Sequence, residues 1–143
     1  MAAVAAVAVF TPSSAFATVS LRTTAVSCSA SASTPAPLSA TKQLTGSANI
    51  QCTATTTTTV TVTVQVVELD GTKIDTMGNA FIVSETKTLT KLNGTVSWTV
   101  TTPAKTCVNA DGTGLEDYYT VVRVTNGKTS ATERVGRIDA WNC

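Results

Sequence analysis

Between Gln43 and Val66 apolar and polar residues alternate so regularly that an extended strand is the conformation that accommodates them. Leu44, Gly46, Ala48, Ile50, Cys52 and Ala54 interleave with Thr45, Ser47, Asn49, Gln51 and Thr53. After the run Thr55–Thr59, Val60, Val62, Val64 and Val66 interleave with Thr61, Thr63 and Gln65. A helix would scatter these apolar positions around its circumference. A strand gathers them on one face, because successive side chains point to opposite sides of a sheet. The polar partners are mostly threonine, a β-branched residue that fits a pleated strand and offers water a hydroxyl instead of a charge. Threonine stands at about 30 of the 143 positions, and charged residues make up only 13% of the chain, against a usual share of about 25%. Disordered chains show the opposite bias, so a folded all-β domain is expected.

The remainder carries strand and turn signals of the same kind. At Val66–Val67 the alternation slips by one position, which predicts a β-bulge. Asp70–Gly71 predicts a tight turn, and Lys73–Asp75, Asn79–Val83 and Glu85–Leu92 predict three further strands. Asn93–Gly94 is a hairpin-turn dipeptide. It leads into Val96, Trp98 and Val100 on one face of a strand that Pro103 ends. Tyr118–Thr125, the turn Asn126–Gly127 and Lys128–Val135 predict a final hairpin. Roughly seven strands with turn signals every 8–12 residues describe an antiparallel, immunoglobulin-like β-sandwich. The domain is expected to span residues 41–143.

The N-terminus reads as an export signal. Met1–Phe10 is apolar, Pro12–Ser13–Ser14 interrupts it, and Ala15–Phe16–Ala17 places small residues where a signal peptidase reads, so residues 1–17 are expected to be removed before Thr18. The apolar run is too short to span a bilayer as a helix. No Lys or Arg precedes it, so either the leader is atypical or the natural start lies upstream of Met1, and the second is preferred. Residues 18–40, rich in Ser, Thr, Ala and Pro, predict an irregular, extended lead-in. The mature protein is therefore expected outside the cell, with no membrane span.

Export changes the meaning of the four cysteines, Cys28, Cys52, Cys107 and Cys143. An even number in a short exported chain predicts a disulfide framework, and the lack of C-x-x-C spacing argues against metal binding or redox catalysis. Three pairings are possible. We prefer Cys28–Cys52 with Cys107–Cys143, each closing a loop of a few tens of residues and contributing about 3–4 kcal/mol; the other two remain open on sequence alone.

Two local resemblances bear on the fold. Residues 115–127, LEDYYTVVRVTNG, resemble the penultimate strand of immunoglobulin-like and fibronectin type III domains, which implies a sandwich and no particular function. The stretch from Cys52 to Lys73, containing TVTVTVQVVELDGTK, is similar to the central strand of small secreted bacterial α-amylase inhibitors. Those proteins also carry four cysteines, so the resemblance implies sequential disulfide pairing. Their inhibitory Trp-Arg-Tyr motif does not occur in this chain.

Composition excludes much chemistry. The chain has no histidine, which rules out a Ser-His-Asp triad, a Cys-His pair and His-ligated zinc. Its net charge is +1 and its ten basic residues are scattered singly, so no electrostatic footprint for nucleic acid is expected.

The remaining candidates each have a plainer explanation. Asn109, Asp111, Thr113, Gly114 and Asp117 are spaced like oxygen ligands of a calcium loop, but Thr120 stands where the closing glutamate belongs. A Gly-rich loop with solvated acids is preferred. Glu116 with Asp117, or Asp70 with Asp75, could be offered as catalytic carboxylates, but strand neighbours diverge and turn acids usually serve the turn. Thr-x-Thr arrays at 53–63, 86–90 and 95–101 occur in ice-binding proteins too. No repeat period organises them here, and the polar face of a sheet explains them. Trp98, Trp141, Tyr118 and Tyr119 could stack on a sugar, although a small core needs its few aromatics. Asn93–Gly94–Thr95 matches a glycosylation acceptor.

Together these features predict a secreted, non-catalytic β-sandwich without cofactor. It is expected to bind a protein or glycan partner or to serve structurally at the cell exterior. The second reading is a secreted inhibitor of a hydrolase that presents the Cys107–Asp117 loop.

Overall fold

Strand pairing in the computed structural model follows the alternation of the sequence; the structure describes residues 18–33, 35–38, 42–70, 73–76, 81–106 and 116–141. Twelve strands occur among these residues: β1 (Thr18–Arg22), β2 (Val26–Ala32), β3 (Ala36–Leu38), β4 (Gln43–Thr45), β5 (Ser47–Ala54) and β6 (Thr58–Asp70), then β7 (Lys73–Thr76), β8 (Ile82–Leu89), β9 (Thr95–Thr101), β10 (Lys105–Thr106), β11 (Glu116–Thr125) and β12 (Ser130–Trp141). Every pairing among them is antiparallel. The protein is all-β, with a short 3-10 turn at Lys91–Asn93 between β8 and β9.

One sheet has the order β1-β2-β5-β9 and another the order β12-β11-β6, with β7 and β8 sharing the outer edge of β6. Residues of both build a single core. Leu21, Val26, Ala30, Ile50 and Val100 come from the first sheet; Val60, Val62, Val64, Val122 and Val124 come from the second. The four alternate valines of β6 from Val60 to Val66 are wholly buried, each contributing on the order of 2 kcal/mol by removal from water.

A third sheet, β3-β4-β10, repeats the order β2-β5-β9 and is the first sheet carried around a bend. The breaks fall between β2 and β3, at Gly46 between β4 and β5, and between β9 and β10. Side chains hold the corner. The Gly46 N–H donates to Thr102 Oγ1 (2.9 Å), the Thr102 N–H donates to the Gly46 carbonyl (2.8 Å), and Thr45 Oγ1 donates to the Thr102 carbonyl (2.8 Å). Thr102 is buried, so Thr102→Val should strand the Gly46 N–H and cost about 1–2 kcal/mol, read as a lower urea midpoint.

Several expectations need correction. Residues 18–40 are not an irregular lead-in: β1, β2 and β3 lie there, and Val19, Leu21, Val26, Ala30 and Ala32 are core. In β2 small residues hid the alternation. The bulge expected at Val66–Val67 is absent, because β6 stays in unbroken register with β11 from Thr61 to Leu69. The inward parity simply runs on from Val66 to Glu68, which is buried, while Val67 is covered on the opposite face. Register shifts occur instead between β11 and β12, at Glu116/Tyr118 and Tyr119/Thr120. A single strand, β8, runs across the boundary expected between the strands Asn79–Val83 and Glu85–Leu92. Asn93–Gly94 does not close a hairpin, since β8 pairs with β6 and β9 with β5. Gly94, at φ 63°, instead helps the chain cross from one sheet to the other. Asn126–Gly127 does lie in a hairpin, between the partners Thr125 and Ser130, with Gly127 at φ 85°. Residues 1–17 of the expected export signal and Gly71 of the expected turn lie outside the described residues.

Candidate functional site

The alternation that buries one side of the first sheet sends a uniform set of side chains to the other. In register across the four strands stand Thr18, Ser31, Asn49 and Thr99, and in the next row Ser20, Ser29, Gln51 and Ser97. A third row holds Arg22, Ser27, Thr53 and Thr95. Arg22 is the one charge among these twelve positions. Neighbouring strands lie about 4.8 Å apart, so the face is a closely spaced grid of hydroxyls and amides.

Cross-strand hydrogen bonds organise the grid. Thr99 Oγ1 donates to Asn49 Oδ1 (2.6 Å), and the hydroxyls of Thr53 and Thr95 are 2.9 Å apart. A shallow recess of about 530 Å³ opens here, lined by Thr18, Ser29, Ser31, Asn49, Gln51, Ser97 and Thr99 together with Ile50 and Trp98.

Directly behind the recess a disulfide joins Cys28 to Cys52, with Cα atoms 4.1 Å apart. The two are facing partners of β2 and β5, one residue from the Ser29–Gln51 pair. Period two therefore places the bridge in the core and its neighbours on the surface. Cys28 and Cys52 pair as expected, whereas Cys107 and Cys143 lie outside the described residues.

The other candidates do not converge. Asn109, Asp111, Thr113 and Gly114 lie outside the described residues, and Asp117 is half-buried on β11. Glu116 and Asp117 are consecutive positions of that strand, and consecutive positions belong to opposite faces. In the β6–β7 ladder Asp70 faces Lys73 and Asp75 faces Glu68, so the two aspartates are not partners. Tyr118 is wholly buried. Trp98 is half-buried against the core, with Lys87 Nζ 5.5 Å from its ring centroid. These two aromatics therefore share no platform. Among the described residues no group of three or more His, Cys, Asp or Glu could hold a metal ion.

Threonines also face outward from the second sheet, where Thr61 pairs with Thr86 (2.9 Å) and Thr63 with Ser84 (2.8 Å). That face is not uniformly neutral, because Arg123 stands in register beside Thr63 and its Nη2 donates to Ser130 Oγ (3.2 Å). Sequence reasoning finds the outward residues of β5 and β9 but misses those of β1 and β2. The signal is present: Ser27, Ser29 and Ser31 alternate with Cys28, Ala30 and Ala32.

No protein-family model matches the sequence, and no curated protein matches it. Among the described residues, no helix is long and apolar enough to cross a membrane.

Proposed function

We propose that this chain is an exported, non-catalytic, immunoglobulin-like β-sandwich that works by binding, through the outer face of β1, β2, β5 and β9. The observation that carries the reading is the neutral recess backed by the Cys28–Cys52 bridge. A face already held in its working shape loses little conformational freedom when a partner docks. An intramolecular disulfide also suits an oxidising, extracellular compartment.

Strand order supports the immunoglobulin-like assignment. With β2, β5 and β9 taken as strands A, B and E, and β6, β11 and β12 as C, F and G, the two sets fall in separate sheets as that fold requires. The bridge departs from the antibody pattern, because it joins neighbours within one sheet instead of linking strands B and F across the core.

The reading is tested by capture. The mature protein, immobilised, is expected to retain a component of the secreted or cell-surface fraction, and Ser97→Arg in the recess is expected to reduce retention at least tenfold. Retention that ignores Ser97→Arg would move the site elsewhere. Retention of a hydrolase that loses its activity would favour the inhibitor reading.

A further inference from the structure

Resting on the binding role just given, we propose that the ligand of this recess is a neutral glycan chain. The seven polar residues lining it carry hydroxyls or carboxamides, and none is ionisable. An anionic or cationic ligand would give up its hydration there without meeting an opposite charge. A purely apolar ligand would cover donors and acceptors and leave them unsatisfied. A polyhydroxylated, uncharged ligand suits the seven polar residues, because hydroxyls and carboxamides both donate and accept, and its C–H faces can rest on Ile50 and Trp98, which complete the lining.

The arrangement of those groups points the same way. Thr99 holds Asn49 by its Oδ1 (2.6 Å), which leaves the two Nδ2 protons for a ligand. Gln51 stands in the adjacent row, on the same face of β5, between Ser29 and Ser97. The rows run across four strands with no charged or bulky side chain interrupting the first two. A recess of about 530 Å³ is of the size that holds a small organic ligand, and because it is shallow and open it does not confine the ligand to a closed cavity. The disulfide behind β2 and β5 fixes the spacing between Ser29 and Gln51.

Affinity electrophoresis of the disulfide-intact protein provides the test, with gels containing a soluble β-glucan, an α-glucan or a galactomannan, and polygalacturonate as the acidic comparison. Retardation by at least one neutral polysaccharide is expected, with little by polygalacturonate. Asn49→Ala/Gln51→Ala should weaken that retardation by roughly tenfold or more. Thr61→Ala/Thr63→Ala, on the other sheet, should leave it unchanged. Ser97→Arg fills the recess by a different route and should abolish it, and thermal melts show whether each variant is folded. Three results would overturn the inference: no retardation by any neutral polysaccharide, retardation by polygalacturonate alone, or equal losses from both double variants. Thermal hysteresis removed by Asn49→Ala/Gln51→Ala, without glycan retardation, would also overturn it and assign the face to ice. Capture of a protein partner sensitive to Ser97→Arg, with no glycan retardation, would overturn the glycan inference alone and leave the binding role standing.

Discussion

Replacing Cys28 and Cys52 together with alanine is expected to destabilise the protein by about 3–4 kcal/mol and to lower its thermal midpoint by roughly 10 °C. The bridge closes a separation of 24 residues, for which the chain-entropy model gives roughly 3.5 kcal/mol. Both sulfurs sit in the core, so the alanine pair leaves a small void that adds to the loss. The effect should be concentrated in the first sheet, because the covalent link joins β2 to β5, two neighbouring strands of that sheet. Amide hydrogen exchange tests the location: protection should fall most in β1, β2 and β5 at temperatures where β6 and β11 remain protected. A uniform loss over both sheets would mean that the bridge holds the whole fold as one cooperative unit. The neutral recess should weaken as a binding site in the same variant, since its two central strands would no longer be tied.

Gly46→Ala is expected to cost about 1–3 kcal/mol, through crowding and not through backbone strain. A Cβ at this position would lie 2.8 Å from Val66 Cγ2, 3.0 Å from Thr120 Oγ1 and 3.2 Å from Thr120 Cγ2. Gly46 is where the first sheet turns towards β4, and there its backbone presses against β6 and β11. Val66 and Thr120 are both wholly buried and have little room to retreat. Adding Val66→Ala removes the nearer obstacle, so the double variant should be less destabilised than the sum of the two single changes. Urea unfolding of the four proteins measures that coupling. Strict additivity would show that the corner relaxes by another route.

Strands are most legible in this sequence where bulky side chains mark the pattern. Val60, Val62, Val64 and Val66 announce β6 because a β-branched residue at every second position has one simple explanation. The same logic holds for β5 and β9. It fails for β2, whose inward residues include Cys28, Ala30 and Ala32 and whose outward ones are Ser27, Ser29 and Ser31. Alanine and serine differ so little in size and polarity that they mark a face only faintly, so the Ser29 and Ser31 part of the candidate site is easily missed in residue order. The Val66–Val67 slip misleads for a related reason. A buried glutamate at position 68 breaks the apolar rhythm while the backbone keeps its register.

Turn dipeptides have a similar limit. Asn126–Gly127 and Asn93–Gly94 look alike in sequence, since both favour a positive φ. The first lies in a hairpin, while the second carries the chain between sheets. Local chemistry sets the bend at such a position, and distant strands decide where the next strand pairs.

By itself, then, the order of residues determined that the chain forms strands, which faces of β5, β6 and β9 turn inward, and that Cys52 lies on the buried side. These properties depend on period and side-chain branching, which act over a few residues. The tertiary structure alone decided that Cys28 faces Cys52 within one sheet, that Gly46 and Thr102 form a corner, and that Ser29, Asn49, Gln51 and Ser97 share a recess. Each of these joins strands distant along the chain, and such contacts are chosen by how a whole core closes.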